Sequence, residues 1–213
     1  MQDDKSMSQF FQIHPDNPQS RLISRAVEIV RSGGVIAYPT DSAYALGCQL
    51  GDKSALERIR RIRRLDDTHN FTLVCRDLSE LGTYARVNNS VYRLIRNHTP
   101  GPYTFILRAT DEVPRRLLHP KRRTIGLRVP ENRIALALLE ALGEPMMSVT
   151  LIMPGEEVPQ TDPEDIRERL QHDIDLVIDG GVCGPEPTSV IDLADDVPVI
   201  LREGRGDVAP FQQ

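Results

Sequence analysis

The sequence has few cysteines, few aromatic residues and no long apolar run. Its three cysteines lie far apart and form no C-x-x-C pair, which argues against a disulfide framework or a zinc site and is typical of a reducing compartment. No stretch approaches the roughly 18 to 20 apolar residues that a membrane span requires. The N-terminus is acidic and polar, unlike a secretory signal. These absences predict a cytoplasmic protein that does not associate with a membrane.

Common nucleotide-binding and metal-binding motifs are also missing. No Walker G-x-x-x-x-G-K-S/T occurs, and no G-x-G-x-x-G follows a predicted strand. The five histidines show no ligand spacing, so each is expected to be structural or exposed, and no metal site is predicted. These observations argue against the P-loop and dinucleotide-binding classes.

Charge is distributed unevenly behind a net charge of -5 at pH 7. Residues 58–128 contain 16 Lys and Arg against six Asp and Glu, whereas residues 156–196 contain 13 Asp and Glu against two Arg. A concentrated positive field attracts phosphate-bearing ligands. The alternative is a solvated basic surface opposite an acidic one, and composition alone favours neither interpretation.

Hydrophobic periodicity predicts alternating helices and strands. Leu22, Ile23, Ala26 and Val27 begin a helical stripe that Gly33 ends, and a buried strand follows at residues 35–38. Further strands are predicted at residues 71–75, 103–107, 124–129, 146–153, 175–178, 189–193 and 199–201. Further helices are predicted after residue 52, after residue 77, around residues 91–95, and at residues 134–142 and 163–170. With 213 residues and no linker, the chain is predicted to form one α/β or α+β domain on a mixed sheet.

The most distinctive segment is Pro39-Thr40-Asp41-Ser42-Ala43-Tyr44-Ala45-Leu46-Gly47. It follows a predicted strand directly, so its polar side chains emerge at the carboxyl end, where ligands of open α/β sheets bind. Pro39 prevents the strand from continuing, and Gly47 permits close backbone approach. Judged by polar density alone, an ordinary turn remains the alternative.

This segment resembles the P-T-D/E-T-x-Y-G-L-G signature of the YrdC/YciO family. Other segments resemble further family elements in the same order: residues 61–63 (K-x-R), 100–104 (P-G-P-x-T), 125–130 (R-x-P), 188–192 (S-T-V-x-D) and 201–204 (L-R-x-G). The resemblance covers residues 20–204. It is strongest to the YciO branch, through the run His69-Asn70-Phe71-Thr72-Leu73.

The resemblance implies a YrdC-like domain at residues 13–207, between an N-terminal extension (residues 1–12) and a C-terminal tail (residues 208–213). The implied fold is a twisted mixed parallel and antiparallel sheet flanked by helices, with a deep, positively charged cavity. The implied activity is that of threonylcarbamoyl-AMP synthase, a nucleotidyltransferase-type enzyme. It converts threonine, bicarbonate and ATP into threonylcarbamoyl-adenylate and pyrophosphate, for threonylcarbamoyladenosine modification of tRNA.

Carried over position by position, the resemblance also implies site residues and ligands. The threonine-binding set is Thr40, Arg128, Ser148 and Thr188. The nucleotide-binding set is Arg61, Arg63, Thr150 and Arg202, with Arg61 and Arg63 as catalytic residues. Arginine suits this chemistry because its planar fork contacts phosphate in a bidentate manner. No tightly bound cofactor is implied, magnesium is expected to enter with ATP, and double-stranded RNA or tRNA is an implied partner beside ATP or AMP and a threonine-like molecule.

Three positions depart from the family pattern. Arg61 replaces a lysine, Ala45 replaces a glycine, and Ile152 replaces the asparagine of an S-x-S/T-A-N element. An apolar side chain cannot supply the hydrogen bonds of that amide, whose loss toward a phosphate is worth about 1.5 to 3 kcal/mol, or about 10- to 100-fold. The sequence therefore predicts altered or reduced synthase activity.

A function of a different class remains open, namely a non-catalytic RNA-binding protein that uses the same basic cavity. The arginine surplus and Ile152 favour this alternative. Catalysis is favoured by the polar residues that are expected to point into the cavity: Thr40, Asp41, Ser148, Thr150 and Thr188. The sequence leaves the oligomeric state open.

Overall fold

The computed structural model describes residues 7–66, 69, 71–195 and 197–212. The strands are β1 (Gln9–Gln12), β2 (Ile36–Tyr38), β3 (Ala45–Gln49), β4 (Thr72–Val74), β5 (Ala85–Arg86), β6 (Tyr103–Ala109), β7 (Thr124–Arg128), β8 (Met146–Thr150), β9 (Leu176–Asp179), β10 (Ser189–Asp192) and β11 (Val199–Arg202). The α-helices are α1 (Ser20–Arg31), α2 (Lys53–Arg63), α3 (Leu78–Tyr84), α4 (Asn89–Arg96), α5 (Arg133–Leu142) and α6 (Pro163–Leu170).

The strands form one mixed sheet. Their order is β1-β9-β2-β3-β8-β4-β7-β6-β10-β11, and β5 pairs with β6. Parallel pairs are β1 with β9, β9 with β2, β4 with β7, and β6 with β10. The other pairs are antiparallel. The predicted mixed sheet is confirmed.

The helices form where the periodic stripes predict them, and polar side chains cap the N-termini of α2 to α6. In α1 the buried residues are Ile23, Ala26, Val27 and Val30, which share one helical face. Asn132 accepts a hydrogen bond from the Ala135 amide at 3.0 Å and so begins α5. Local sequence therefore determines these boundaries.

Two hydrophobic cores lie on opposite faces of the sheet, as the alternation of side chains along a strand requires. In β9, Val177 belongs to one core and Leu176 and Ile178 to the other. The first core is covered by residues of α2, α3, α4 and α6. The second is covered by α1 and α5.

Four strands differ from the prediction, and so do both predicted domain ends. β1, β3 and β5 were not predicted, and β8 ends at Thr150 instead of residue 153. Residues 9–12, expected in an extension, pair along β9. Phe211, expected in a tail, is only 1% exposed and packs in the first core. These parts of the predicted extension and tail therefore belong to the folded domain, while residues 1–6 lie outside the described residues.

Candidate active site

The loop between β2 and β3 is a tight connection, because Tyr38 pairs with Ala45 across the antiparallel strands. The Thr40 hydroxyl donates to the Ala43 carbonyl at 2.6 Å and accepts from the amides of Ser42 and Ala43 at 3.2 Å each. Its proton is therefore used inside the loop. Thr40 holds the turn together and is not among the residues that line the neighbouring cleft. Its threonine-binding role stays a prediction.

A buried ion pair crosses from this loop to the end of β7. Arg128 Nη2 donates to Asp41 Oδ1, and Arg128 Nη1 donates to Ser42 Oγ at 3.3 Å. Both side chains are less than 10% exposed. Within the described residues, Arg128 Nε and Asp41 Oδ2 are buried without a hydrogen-bond partner. Since such atoms are costly to bury unpaired, this pair is suited to a polar ligand that completes its bonding.

Ser148, on β8, lies beside the ion pair in a buried hydrogen-bond chain. It donates to the Leu46 carbonyl at 3.1 Å, and its oxygen lies 2.7 Å from the Tyr38 hydroxyl. Burial raises the pKa of Tyr38 to about 12, so this phenol remains a donor. With its own proton engaged, Ser148 can only accept a hydrogen bond from a ligand.

Two threonines and an arginine form a second polar group, which joins β6, the residue before β10, and β11. The hydroxyls of Thr104 and Thr188 lie 2.9 Å apart. Arg202 donates from Nε to the Thr188 carbonyl at 2.9 Å and from Nη2 to its hydroxyl at 3.1 Å. These bonds fix the guanidinium of Arg202 against Thr188, the residue that directly precedes β10.

Arg63, in the last turn of α2, reaches across to the segment after β8. Its Nη1 donates to the Ile152 carbonyl, while its Nε is buried without a partner among the described residues. Burial lowers the pKa of both Arg63 and Arg202, and the proximity of Arg128 contributes at Arg202. The site therefore holds positive charges close together, and a bound anion would stabilise them.

These groups line one cleft, whose two parts share five lining residues. An outer cavity of about 200 Å³ meets an inner recess of about 20 Å³. Both are lined by Thr72, Thr104, Val149, Thr150 and Thr188. The outer cavity is also lined by Arg63, His69, Ile106, Ile152, Val190 and Arg202, and the recess by Ser42, Ala43, Ala45, Val74, Arg128 and Ser148.

Six predicted site residues meet in this cleft: Arg63, Arg128, Ser148, Thr150, Thr188 and Arg202. Arg61 does not join them, because two residues along a helix correspond to about 200° of rotation. It is exposed and lines a separate groove with Met153 and Asp173. The predicted pairing of Arg61 with Arg63 at one site therefore does not occur in this structure.

The cleft contains four polar residues for which the sequence predicts no site role: Ser42, His69, Thr72 and Thr104. Thr72 and Thr104 lie within segments that carry the family resemblance, and His69 is the first residue of the segment that contains Thr72. The signal was present for Thr104, because P-G-P-x-T ends on it. Alternation along the strands would have indicated that Thr72 and Thr104 point away from the core.

A larger open groove of about 450 Å³ lies beside β1 and α1, away from the predicted residues. Over the described ranges, no group of three or more His, Cys, Asp or Glu side chains could hold a metal ion. In the same part of the chain, no helix is long and apolar enough to cross a membrane.

Comparison with known proteins identifies related sequences. The Sua5/YciO/YrdC family model, described as telomere recombination, matches residues 28–204. The protein YciO of Escherichia coli K12 is 67% identical over 205 residues, which is 96% of this chain and 100% of that protein. A threonylcarbamoyl-AMP synthase of Nitrosococcus oceani is 31% identical over 156 residues, covering 73% of this chain and 83% of that protein.

Solved structures agree with these sequence matches. The crystal structure of E. coli YciO has a TM-score of 0.95 at 66% identity and covers 97% of this chain and 100% of that chain. The crystal structure of P. abyssi Sua5 complexed with L-threonine has a TM-score of 0.84 at 26% identity, covering 92% of this chain and 57% of that chain. The predicted mixed α/β fold and family resemblance are confirmed. This chain belongs to the Sua5/YciO/YrdC family and is related to the threonylcarbamoyl-AMP synthases.

Proposed function

We propose that the protein binds a nucleotide and a threonine-like amino acid in this cleft and forms threonylcarbamoyl-adenylate, with lower turnover than the synthases to which it is related. One observation carries the proposal: Arg63 and Arg202 line the outer cavity, and Arg128 lines the recess continuous with it. Three cations around a hydroxyl-lined cleft suit a ligand that bears both phosphates and a carboxylate. The related synthase and the L-threonine complex of P. abyssi Sua5 support this assignment.

The proposed reaction begins when the threonine nitrogen bonds to the carbon of bicarbonate, with loss of water, to give a carbamate. A carbamate oxygen then bonds to the α-phosphorus of ATP as the bond from that phosphorus to the pyrophosphate oxygen breaks. Catalysis of such transfers consists mainly of positioning and charge stabilisation. Arg63 and Arg202 would stabilise the charge on the phosphoryl oxygens and the leaving pyrophosphate, while Arg128 would hold the threonine carboxylate.

The hydroxyl groups would then orient the two ligands. Ser148 would accept a hydrogen bond from the amino-acid part, since its own proton is held by the Leu46 carbonyl. Thr150 lines both cavities and would contact the nucleotide where they join. Magnesium, if it enters with ATP, would offset part of the negative charge of the phosphates. The product would serve the threonylcarbamoyladenosine modification of tRNA.

The direct test is to mix purified protein with ATP, threonine and bicarbonate, and to follow pyrophosphate release together with the adenylate product. A related synthase assayed in parallel sets the scale. We expect slow formation of threonylcarbamoyl-adenylate that requires all three substrates. Pyrophosphate release that is independent of threonine would contradict the proposal.

Ile152 provides a prediction for turnover, because it lines the outer cavity beside Arg63. Ile152→Asn is expected to raise turnover by about tenfold, which corresponds to one regained contact of about 1.4 kcal/mol in the transition state. The change should appear in kcat more than in KM. Ile152→Val, which keeps the side chain apolar, is the matched control. A thermal melt of each variant accompanies the assay, since an unpaired buried amide costs about 1 to 3 kcal/mol. Wild-type turnover equal to that of the related synthase would show that Ile152 does not lower turnover.

The second function, binding of double-stranded RNA or tRNA, is favoured by the exposed Arg115, Arg116 and Lys121. Part of the neighbouring charge is neutralised, because Arg122 pairs with Asp192 and Asp195. With aromatic residues at only 5%, we expect binding through phosphates rather than base stacking. The affinity for a duplex RNA should then fall steeply with salt, and equal affinity between about 50 and 300 mM salt would exclude this mode.

A further inference from the structure

We propose that His69 is an anion-binding residue of the outer cavity, and that it takes up a proton when a phosphate-bearing ligand binds beside it, Arg63 and Arg202. This inference rests on the proposed function, because it uses the same cavity for the phosphates. It adds a residue to the site and makes ligand binding there proton-linked.

Geometry places the imidazole at the cavity wall. His69 lies between α2 and β4, is half-buried, and lines the outer cavity together with both arginines. Its ring meets the edge of Phe71, with centroids 5.6 Å apart and planes at 76°. Phe71 is 1% exposed and belongs to the first core. The histidine ring is therefore supported from behind by a fixed side chain.

The charges around the imidazole come from three directions. Arg63 and Arg60 approach from α2, Arg202 from β11, and Asp66 from the segment that follows α2. Burial has the largest effect on the pKa of His69 and lowers it. The three arginines lower it further, and Asp66 opposes them. Because an ordinary histidine titrates near 6.5, the imidazole of the empty cavity is neutral at neutral pH.

A bound polyphosphate changes this balance. Its negative charge offsets the arginines and favours the protonated imidazole, which can then donate to a phosphate oxygen. Each ligand molecule therefore takes up a fraction of a proton at neutral pH. By linkage, the affinity rises as the pH falls toward the pKa of His69 in the free protein and then levels off. The gain reaches at most about tenfold per pH unit, the limit for one proton.

The test uses inorganic pyrophosphate as the probe and isothermal titration calorimetry on the full chain. Titrations in two buffers of different ionisation enthalpy give the number of protons taken up per binding event. His69→Gln keeps a polar side chain that cannot be protonated, and His172→Gln changes an exposed histidine after α6. Comparing each variant with the wild type cancels the titration of pyrophosphate itself.

We expect proton uptake by the wild type and His172→Gln to exceed that of His69→Gln, and the affinity advantage of the wild type over His69→Gln to grow from about pH 8 to pH 6. Equal uptake in all three proteins would overturn the inference and leave the phosphate site standing. Failure of the wild type to bind pyrophosphate or ATP would overturn both the inference and the proposed nucleotide site. If His69→Gln does not fold, the imidazole is followed in the wild type by NMR, where pyrophosphate should raise the His69 titration midpoint. An unchanged midpoint would also refute the proposal.

Discussion

Arg128→Met is expected to lower the free energy of unfolding by about 3 to 5 kcal/mol, because it leaves the Asp41 carboxylate buried without its partner. The side chains are similar in length, so the loss comes mainly from the charge. Urea unfolding followed by circular dichroism measures it. Since threonine binding is proposed to use the same guanidinium, the folded fraction of the variant should also lose its affinity for threonine.

Two further variants separate the ion pair from general damage. Asp41→Asn combined with Arg128→Met removes both charges, and it should recover much of the stability that the single variant loses. Arg108→Met breaks a pair with Asp195 in which both side chains are more than half exposed. That loss should stay below about 1 kcal/mol. Equal losses of unfolding free energy from Arg128→Met and Arg108→Met would show that burial of the Arg128–Asp41 pair does not increase its contribution to stability.

Arg63→Ala is expected to weaken ATP binding by about 1.5 to 3 kcal/mol, because a charge-assisted phosphate contact is removed. Arg61→Ala is the matched control on the same helix, since that side chain is exposed and lies on a separate groove. It should change the affinity by less than about threefold, the effect of an exposed charge. Calorimetry on the folded variants measures both.

Comparing Arg61→Ala with Arg63→Ala also shows whether α2 acts through one specific contact or through its overall positive charge. Equal weakening by Arg61→Ala and Arg63→Ala would show that α2 contributes only a general positive field. Unchanged affinity in a folded Arg63→Ala protein would remove Arg63 from the proposed nucleotide site. Loss confined to Arg63→Ala would support a specific contact within the outer cavity.

The elements that the sequence predicted well carry local signals. The stripe of α1 and the proline at the start of α6 predict their helices without tertiary information. β1 and β3 were missed because β1 has glutamines at both ends and β3 contains alanine and glycine, which have low β-propensity. Both strands are formed through their neighbours, with β1 held by β9 and β3 held between β2 and β8.

The site was predictable as a set of segments but less so as a set of side chains. Spacing along the chain does not reveal that Thr104 and Thr188 share a hydrogen bond across 84 residues. It also does not reveal that the Thr40 proton is used by the Ala43 carbonyl. Arg61 could have been separated from Arg63 by helical rotation alone. Which hydroxyls remain available to a ligand depends on long-range pairing, which no local pattern encodes.

The position of β9 affects how the chain is synthesised. Leu176 pairs with Gln9 on one side and with Ile36 on the other, so both earlier strands depend on a segment made about 140 residues after Ile36. At ordinary translation rates of about 5 to 20 residues per second, that segment follows β2 after roughly 7 to 28 s. Until then the nascent chain exposes an unpaired edge of β2, a template for association with other chains. The pairing of β9 with β1 and β2 joins segments that are far apart in the sequence, and such long-range pairing slows this step of folding. Aggregation during expression should therefore originate from the unfinished chain, and slower translation should increase it.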